Sequence, residues 1–173
     1  MALQTAHPLH RRSGPFLVLD FGQIQVQLQV EGVTRDNLQA YLDAETARMT
    51  ERAADIPADF DKAIVIVDGS VALMPPADAR GLQADWIKAN QEMLRALTHK
   101  MAFVVPNPWV RAIVAAVFAI APSPVPMKTF PTLEAAADWA IEESHALGGA
   151  VREDFLVQRA GAVQRLREVM EAA

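Results

Sequence analysis

Ala63-Ile-Val-Ile-Val-Asp-Gly-Ser70 is the stretch on which the reading of this chain turns. Four consecutive β-branched residues, Ile64 to Val67, lie between Lys62 and the turn-forming Asp68-Gly69-Ser70. A short run of that kind reads as a strand buried on both faces, the state of a central strand in a sheet covered by helices. Whatever follows Val67 then lies at the carboxyl edge of the sheet, where open α/β folds place their sites.

Two runs of period two precede it. Phe16-Leu-Val-Leu-Asp-Phe21 passes through Gly22-Gln23 into Ile24-Gln-Val-Gln-Leu-Gln-Val30, a hairpin pattern with Gly22 at the turn. Ile24, Val26, Leu28 and Val30 alternate with Gln25, Gln27 and Gln29, whose face is expected to meet solvent. Thr34 then caps a helix over about Arg35 to Ala53. Leu38, Tyr41, Leu42 and Met49 form its inward stripe, and Asp43, Glu45, Arg48, Glu51 and Arg52 are expected to be solvated.

Downstream, Val71 to Pro76 reads as a loop over the sheet edge, followed by one helix from about Ala77 to His99. Its stripe is Leu82, Trp86, Met93 and Leu97, with Ala79 and Ala89 between them. Met101-Ala-Phe-Val-Val105 is a second buried strand, ended by Pro106. Asn107 is placed as an N-cap and Pro108 at the first helical position. The helix Trp109 to Ala121 is apolar nearly all round, with Arg111 its one charged residue, so it must be covered on more than one side. Val125 to Phe130 is a last strand, and Thr132 caps a helix to about Ala146. Gly148-Gly149 reads as a hinge before an amphipathic helix, Val151 to Ala173, in which Leu156, Val163 and Met170 recur every seven residues.

This order predicts an α/β fold: a mixed five-stranded sheet with an N-terminal β-hairpin, covering helices and an extra C-terminal amphipathic helix. Residues 1–15 are expected to be a flexible tail, residues 16–147 the domain, and residues 148–173 the added helix.

The order of elements resembles the STAS domain of the SpoIIAA-like anti-sigma-factor antagonists over about Phe16 to His145. The resemblance rests on Ile64-Val-Ile-Val-Asp68 followed by a loop and helix, on Ala102-Phe-Val-Val-Pro-Asn-Pro-Trp-Val-Arg111, and on Phe130-Pro-Thr-Leu-Glu-Ala-Ala-Ala-Asp-Trp139. It implies a five-stranded STAS-like fold and a bacterial regulatory role through a protein partner. In that family a serine after the central strand is phosphorylated to release the partner, and Ser70 is the nearest match. From its position alone Ser70 reads first as a turn serine bonding its own backbone.

Composition narrows the remaining classes. A net charge of -5 gives no broad basic face for nucleic acid. The chain has no cysteine, which removes disulfide and thiolate chemistry. Its histidines show no metal-ligand spacing, so no cofactor is expected. Met1 to Gly14 has no apolar run resembling a signal peptide, so cytoplasmic residence is the default, and the apolar stretch Val110 to Pro122 carries Arg111 and is shorter than the ~20 residues a bilayer span takes. Asp68 beside Ser70 lacks a histidine placed to complete a relay, which leaves a hydrolase without its base. His99 and His145 are expected at helix ends, where a cation suits the dipole. Arg111 is expected to mark the solvated side of its helix, although it could add charge to an anion site. The function expected is a non-enzymatic adaptor or regulatory domain acting by protein association. Its contact residues are Asp68, Gly69, Met74, Asn107, Trp109, Arg111 and Phe118, with Leu156, Val163 and Met170 from the last helix. The apolar helix Trp109 to Ala121 and the last, amphipathic helix either cover one another or form a homodimer or partner-docking surface. A small apolar-ligand module at the sheet edge is the alternative function.

Overall fold

A computed structural model of the protein describes residues 9–54, 62–69, 76–112, 114, 123–149, 151 and 155. Its strands are β1 (Leu9–Ser13), β2 (Phe16–Phe21), β3 (Ile24–Gln29), β4 (Ala63–Asp68), β5 (Thr98–Val104) and β6 (Met127–Phe130). The helices are α1 (Arg35–Ala54), α2 (Ala77–Ala89), α3 (Gln91–Leu97) and α4 (Leu133–Ala146), and residues 108–112 are also helical. The six strands form one mixed sheet in chain order. β1, β2 and β3 pair antiparallel, and β3 to β6 pair parallel, with Val65 opposite Met101 and Phe103 opposite Thr129.

The central parallel strands are therefore where the β-branched run and the apolar run at Met101 place them. Ile64 and Ile66 are fully buried. On one face they join Ile24, Val26, Leu28, Ala102, Val104 and Phe130 beneath Ala136, Ala137 and Ala140 of α4. Alanines on the helix let α4 lie close to the sheet, and Thr132 Oγ1 caps it by accepting from Ala135 N at 3.2 Å. Phe155 belongs to the same cluster and meets Phe21 edge-on at 5.0 Å between ring centroids. On the other face, Leu38, Tyr41 and Leu42 of α1 pack with Ala79, Leu82 and Trp86 of α2. Crossovers of one hand that advance in one direction along a sheet put their helices on the same side, which is where α1 and α2 lie.

Four expectations are corrected. Among the described residues the sheet has six strands, not five, because Leu9 to Ser13 form β1 inside the segment read as a flexible tail. Its sequence, Leu-His-Arg-Arg-Ser, has no apolar alternation to announce a strand. The turn makes it instead: Gly14 has φ +54, and a Cβ there would collide with the Asn37 carbonyl and the Tyr41 side chain. Pro15 O then accepts from Val30 N at 2.9 Å.

The glutamine face of β3 is buried, not solvated. Gln25, Gln27 and Gln29 are 4%, 8% and 7% exposed, because α1 covers that face. The one long helix expected after Pro76 is two. Asn90 Nδ2 donates to Trp86 O at 2.9 Å and stops α2, which leaves Ala89 exposed and puts Thr98 and His99 in β5. Glu45, expected on the solvated side of α1, is 5% exposed. The hairpin at Gly22 is as read: Gly22 has φ +83, Phe21 pairs with Ile24, and Asp20 Oδ1 accepts from Gly22 N at 2.9 Å.

Candidate docking edge

The parallel strands end together. Gly69 N donates to Val104 O at 3.2 Å, and Val105 N donates to Phe130 O at 2.8 Å, so the ends of β4, β5 and β6 form one rim. Asp68 closes β4 and is buried, with Gly69 half-buried behind it. Ser70 and Met74 lie outside the described residues, as do Phe118, Leu156, Val163 and Met170.

Beyond β5 the chain turns through Pro106-Asn107-Pro108 into helix. Asn107 Oδ1 accepts from Trp109 N at 2.9 Å and from Val110 N at 3.3 Å, and its carbonyl accepts from Arg111 N at 3.0 Å. Asn107 thus caps the helix as its sequence context implied. Arg111 does something else. Its Nη1 donates to Val105 O and Pro106 O, each at 3.0 Å, and its side chain is half-buried. The guanidinium takes up carbonyls left at the strand end and ties the helix start to the sheet, which corrects its reading as the solvated marker. The consequence is that Trp109 stands on a fixed element. It is 81% exposed, whereas Trp86 packs against the α1–α2 cluster and Trp139 against Phe130.

The rim thus brings together Asp68, Gly69, Asn107, Trp109 and Arg111. His99 and His145 are elsewhere. His99 is the second residue of β5, at the opposite end of the sheet, with its Nε2 3.9 Å from Glu143 Oε2; it sits in a strand, not at a helix end. His145 is in the last turn of α4, as the dipole argument expected. Asp78 Oδ1 accepts from Ala79 N at 2.9 Å in the first turn of α2. Among the described residues, no three histidine, cysteine or carboxylate side chains are grouped to hold a metal ion, and no helix is long and apolar enough to cross a membrane.

A polar cluster under α1 escaped the sequence reading. Tyr41 Oη donates to Gln27 Oε1 at 2.9 Å, and Gln27 Nε2 donates to Gln25 Oε1 at 3.1 Å. Glu45, one turn along α1, is bonded by Arg48 and by Arg11 of β1, the latter at 3.4 Å. Burial pushes the Tyr41 phenol well above its ordinary range, and the Glu45 carboxylate adds to the effect. The available signal was the spacing of Tyr41 and Glu45, which puts both on one helix face. At the far end of the sheet, Lys100 Nζ donates to Glu143 Oε2 at 2.6 Å and holds that carboxyl below its ordinary range.

Compared with protein-family models, with curated proteins and with solved structures, the chain shows no match.

Proposed function

We propose that the chain is a non-enzymatic, STAS-like regulatory or adaptor domain that works through protein–protein association, docking by the carboxyl rim of its sheet with Trp109 at the centre of the contact. The observation that carries this reading is the 81% exposure of Trp109. Covering such a ring removes ~150–250 Å² from water. At ~25 cal/mol per Å², that is worth about 4–6 kcal/mol before the costs of association are met. Tryptophan held on a rigid element is also the residue type most often found at the energetic centre of an interface. Here Asn107 and Arg111 supply the rigidity. The element order from β2 to α4 supports the STAS-like part of the reading.

The test places a photo-crosslinking benzoylphenylalanine at position 109 in cells of the source organism, with Ala47, exposed on α1, as the control position. The reading expects one discrete adduct from position 109 that position 47 does not give and that added protein outcompetes, while added Trp109→Ala protein does not. Equal labelling at both positions refutes it. Ser70 is tested separately as the phosphoacceptor: intact-mass analysis after incubation with ATP and lysate should show one added phosphate that Ser70→Ala lacks. No added phosphate removes the switch and leaves the docking rim standing.

A further inference from the structure

We infer that β1 is a releasable edge strand, which opens independently of the rest of the fold and thereby covers or uncovers the hydrogen-bonding edge of β2. The inference goes beyond the docking rim and does not depend on Trp109. Among the described side chains of β1, Arg11, Arg12 and Ser13, none belongs to either buried apolar cluster, whereas the neighbouring β2 supplies Leu19 and Phe21 to one and packs Phe16 against the other. Losing Arg11, Arg12 and Ser13 from the sheet therefore removes no described member of either cluster.

What holds the strand is its ladder to β2, from Leu9 opposite Asp20 to Ser13 opposite Phe16, and a set of ionic ties. Arg11 reaches Glu45 on α1 at 3.4 Å, and Arg12 reaches Glu31 at 2.7 Å. The second pair is largely exposed, so it contributes little and weakens with salt. The first is the latch, because Glu45 is buried. Release does not strand that carboxylate, since Arg48 on the same helix stays paired with it. The turn is fixed in both states: Gly14 is packed under α1 against Asn37 and Tyr41, which sets where the opening ends. An edge strand with this composition belongs to the low-stability end of a fold's local openings. Once it leaves, the row of N–H and C=O groups on β2 loses its partners and meets water.

Amide hydrogen exchange on the full chain tests this. Amides of β1 bonded to β2 are expected to exchange at least tenfold faster than those of Ile64 and Ile66 in β4, with a weaker dependence on urea, because a local opening exposes little surface. Arg11→Ala should speed β1 exchange by roughly three- to tenfold, the worth of one partly exposed charge-assisted bond, and leave β4 unchanged. Arg11→Lys should recover most of the protection. Equal exchange and equal urea dependence in β1 and β4 of the unaltered protein overturn the inference. An Arg11→Ala variant with unchanged β1 exchange, or with β4 accelerated as much as β1, does so too.

Discussion

Tyr41 is the only tyrosine in the chain, so its ionisation can be followed without ambiguity. Its hydroxyl is buried and bonded to Gln27 Oε1, and burial, followed by the nearby Glu45 carboxylate, raises its pKa far above the ordinary value near 10. The sign follows from linkage. Below pH 10 the phenol is neutral in both the folded and the unfolded chain, so Tyr41 gives no pH dependence. Above pH 10 the unfolded chain releases the proton while the folded chain keeps it, and folding loses about 1.4 kcal/mol for each further pH unit. At pH 11.5 the loss is about 2 kcal/mol, a large share of the ~5–15 kcal/mol that stabilises a typical domain. Absorbance at 295 nm reads tyrosinate, and far-ultraviolet circular dichroism reads the fold. The expected result is no tyrosinate signal while the fold persists, then a rise that coincides with unfolding. In denaturant titrations, Tyr41→Phe should flatten the fall in stability between pH 10 and 11.5 by about 2 kcal/mol relative to the unaltered chain. At pH 7 the same variant should be about 1–2 kcal/mol less stable, because the Gln27 carbonyl loses its donor inside the fold. A tyrosinate signal appearing near pH 10 with the dichroism unchanged would refute the buried hydrogen bond.

Other perturbations read other parts of the structure. Gly14→Ala forces a side chain into a left-handed turn and against Asn37 and Tyr41; thermal or urea unfolding should show a loss of about 1–3 kcal/mol. Ala140→Leu overfills the seam between α4 and the sheet, where Ala140 is fully buried, and should cost about 1–3 kcal/mol in the same assays. The Glu143 carboxyl is held low, first by the hydrogen bond from Lys100, so its stabilising effect is present above the ordinary glutamate range and is lost as pH falls through its lowered value. Glu143→Gln should therefore flatten the acid limb of the stability profile and leave its alkaline side alone. Trp109→Ala should change stability by less than about 0.5 kcal/mol, since so exposed a side chain contributes little to the fold, and the added variant should fail to outcompete the adduct formed from position 109.

The parallel half of the sheet was legible because its strands obey the strongest rule available. Apolar runs bounded by turn residues at Asp68 and Pro106 have one comfortable place, between two layers of helix. The helix starts at Asn107 and Thr132 were legible for an equally local reason, a side-chain acceptor one turn from orphan N–H groups. β1 was not, since what makes it a strand lies outside it: a turn pressed against α1 and carboxylates on other elements. Arg111 was misread because a surface preference for arginine takes no account of the carbonyls a strand leaves behind at its end. Trp109 was named among the contact residues, but only the geometry around it separates an exposed ring on a fixed helix start from one folded into the core.

The buried glutamines make the same point about periodicity and give it a physical consequence. An alternation of apolar and polar residues states that the two faces of a strand differ; it does not state that the polar one is wet. On β3 the apolar face lies under α4 with the central core, and the polar face lies under α1. The hydrophobic term is non-directional, whereas a phenol that must reach one particular amide has a direction as well as a distance. The Tyr41–Gln27 bond, continued to Gln25, therefore pins α1 to one place along β3. That position also sets Glu45 where Arg11 can reach it, so the row of amides that fixes the register of the first helix also bears on the closure of the first strand.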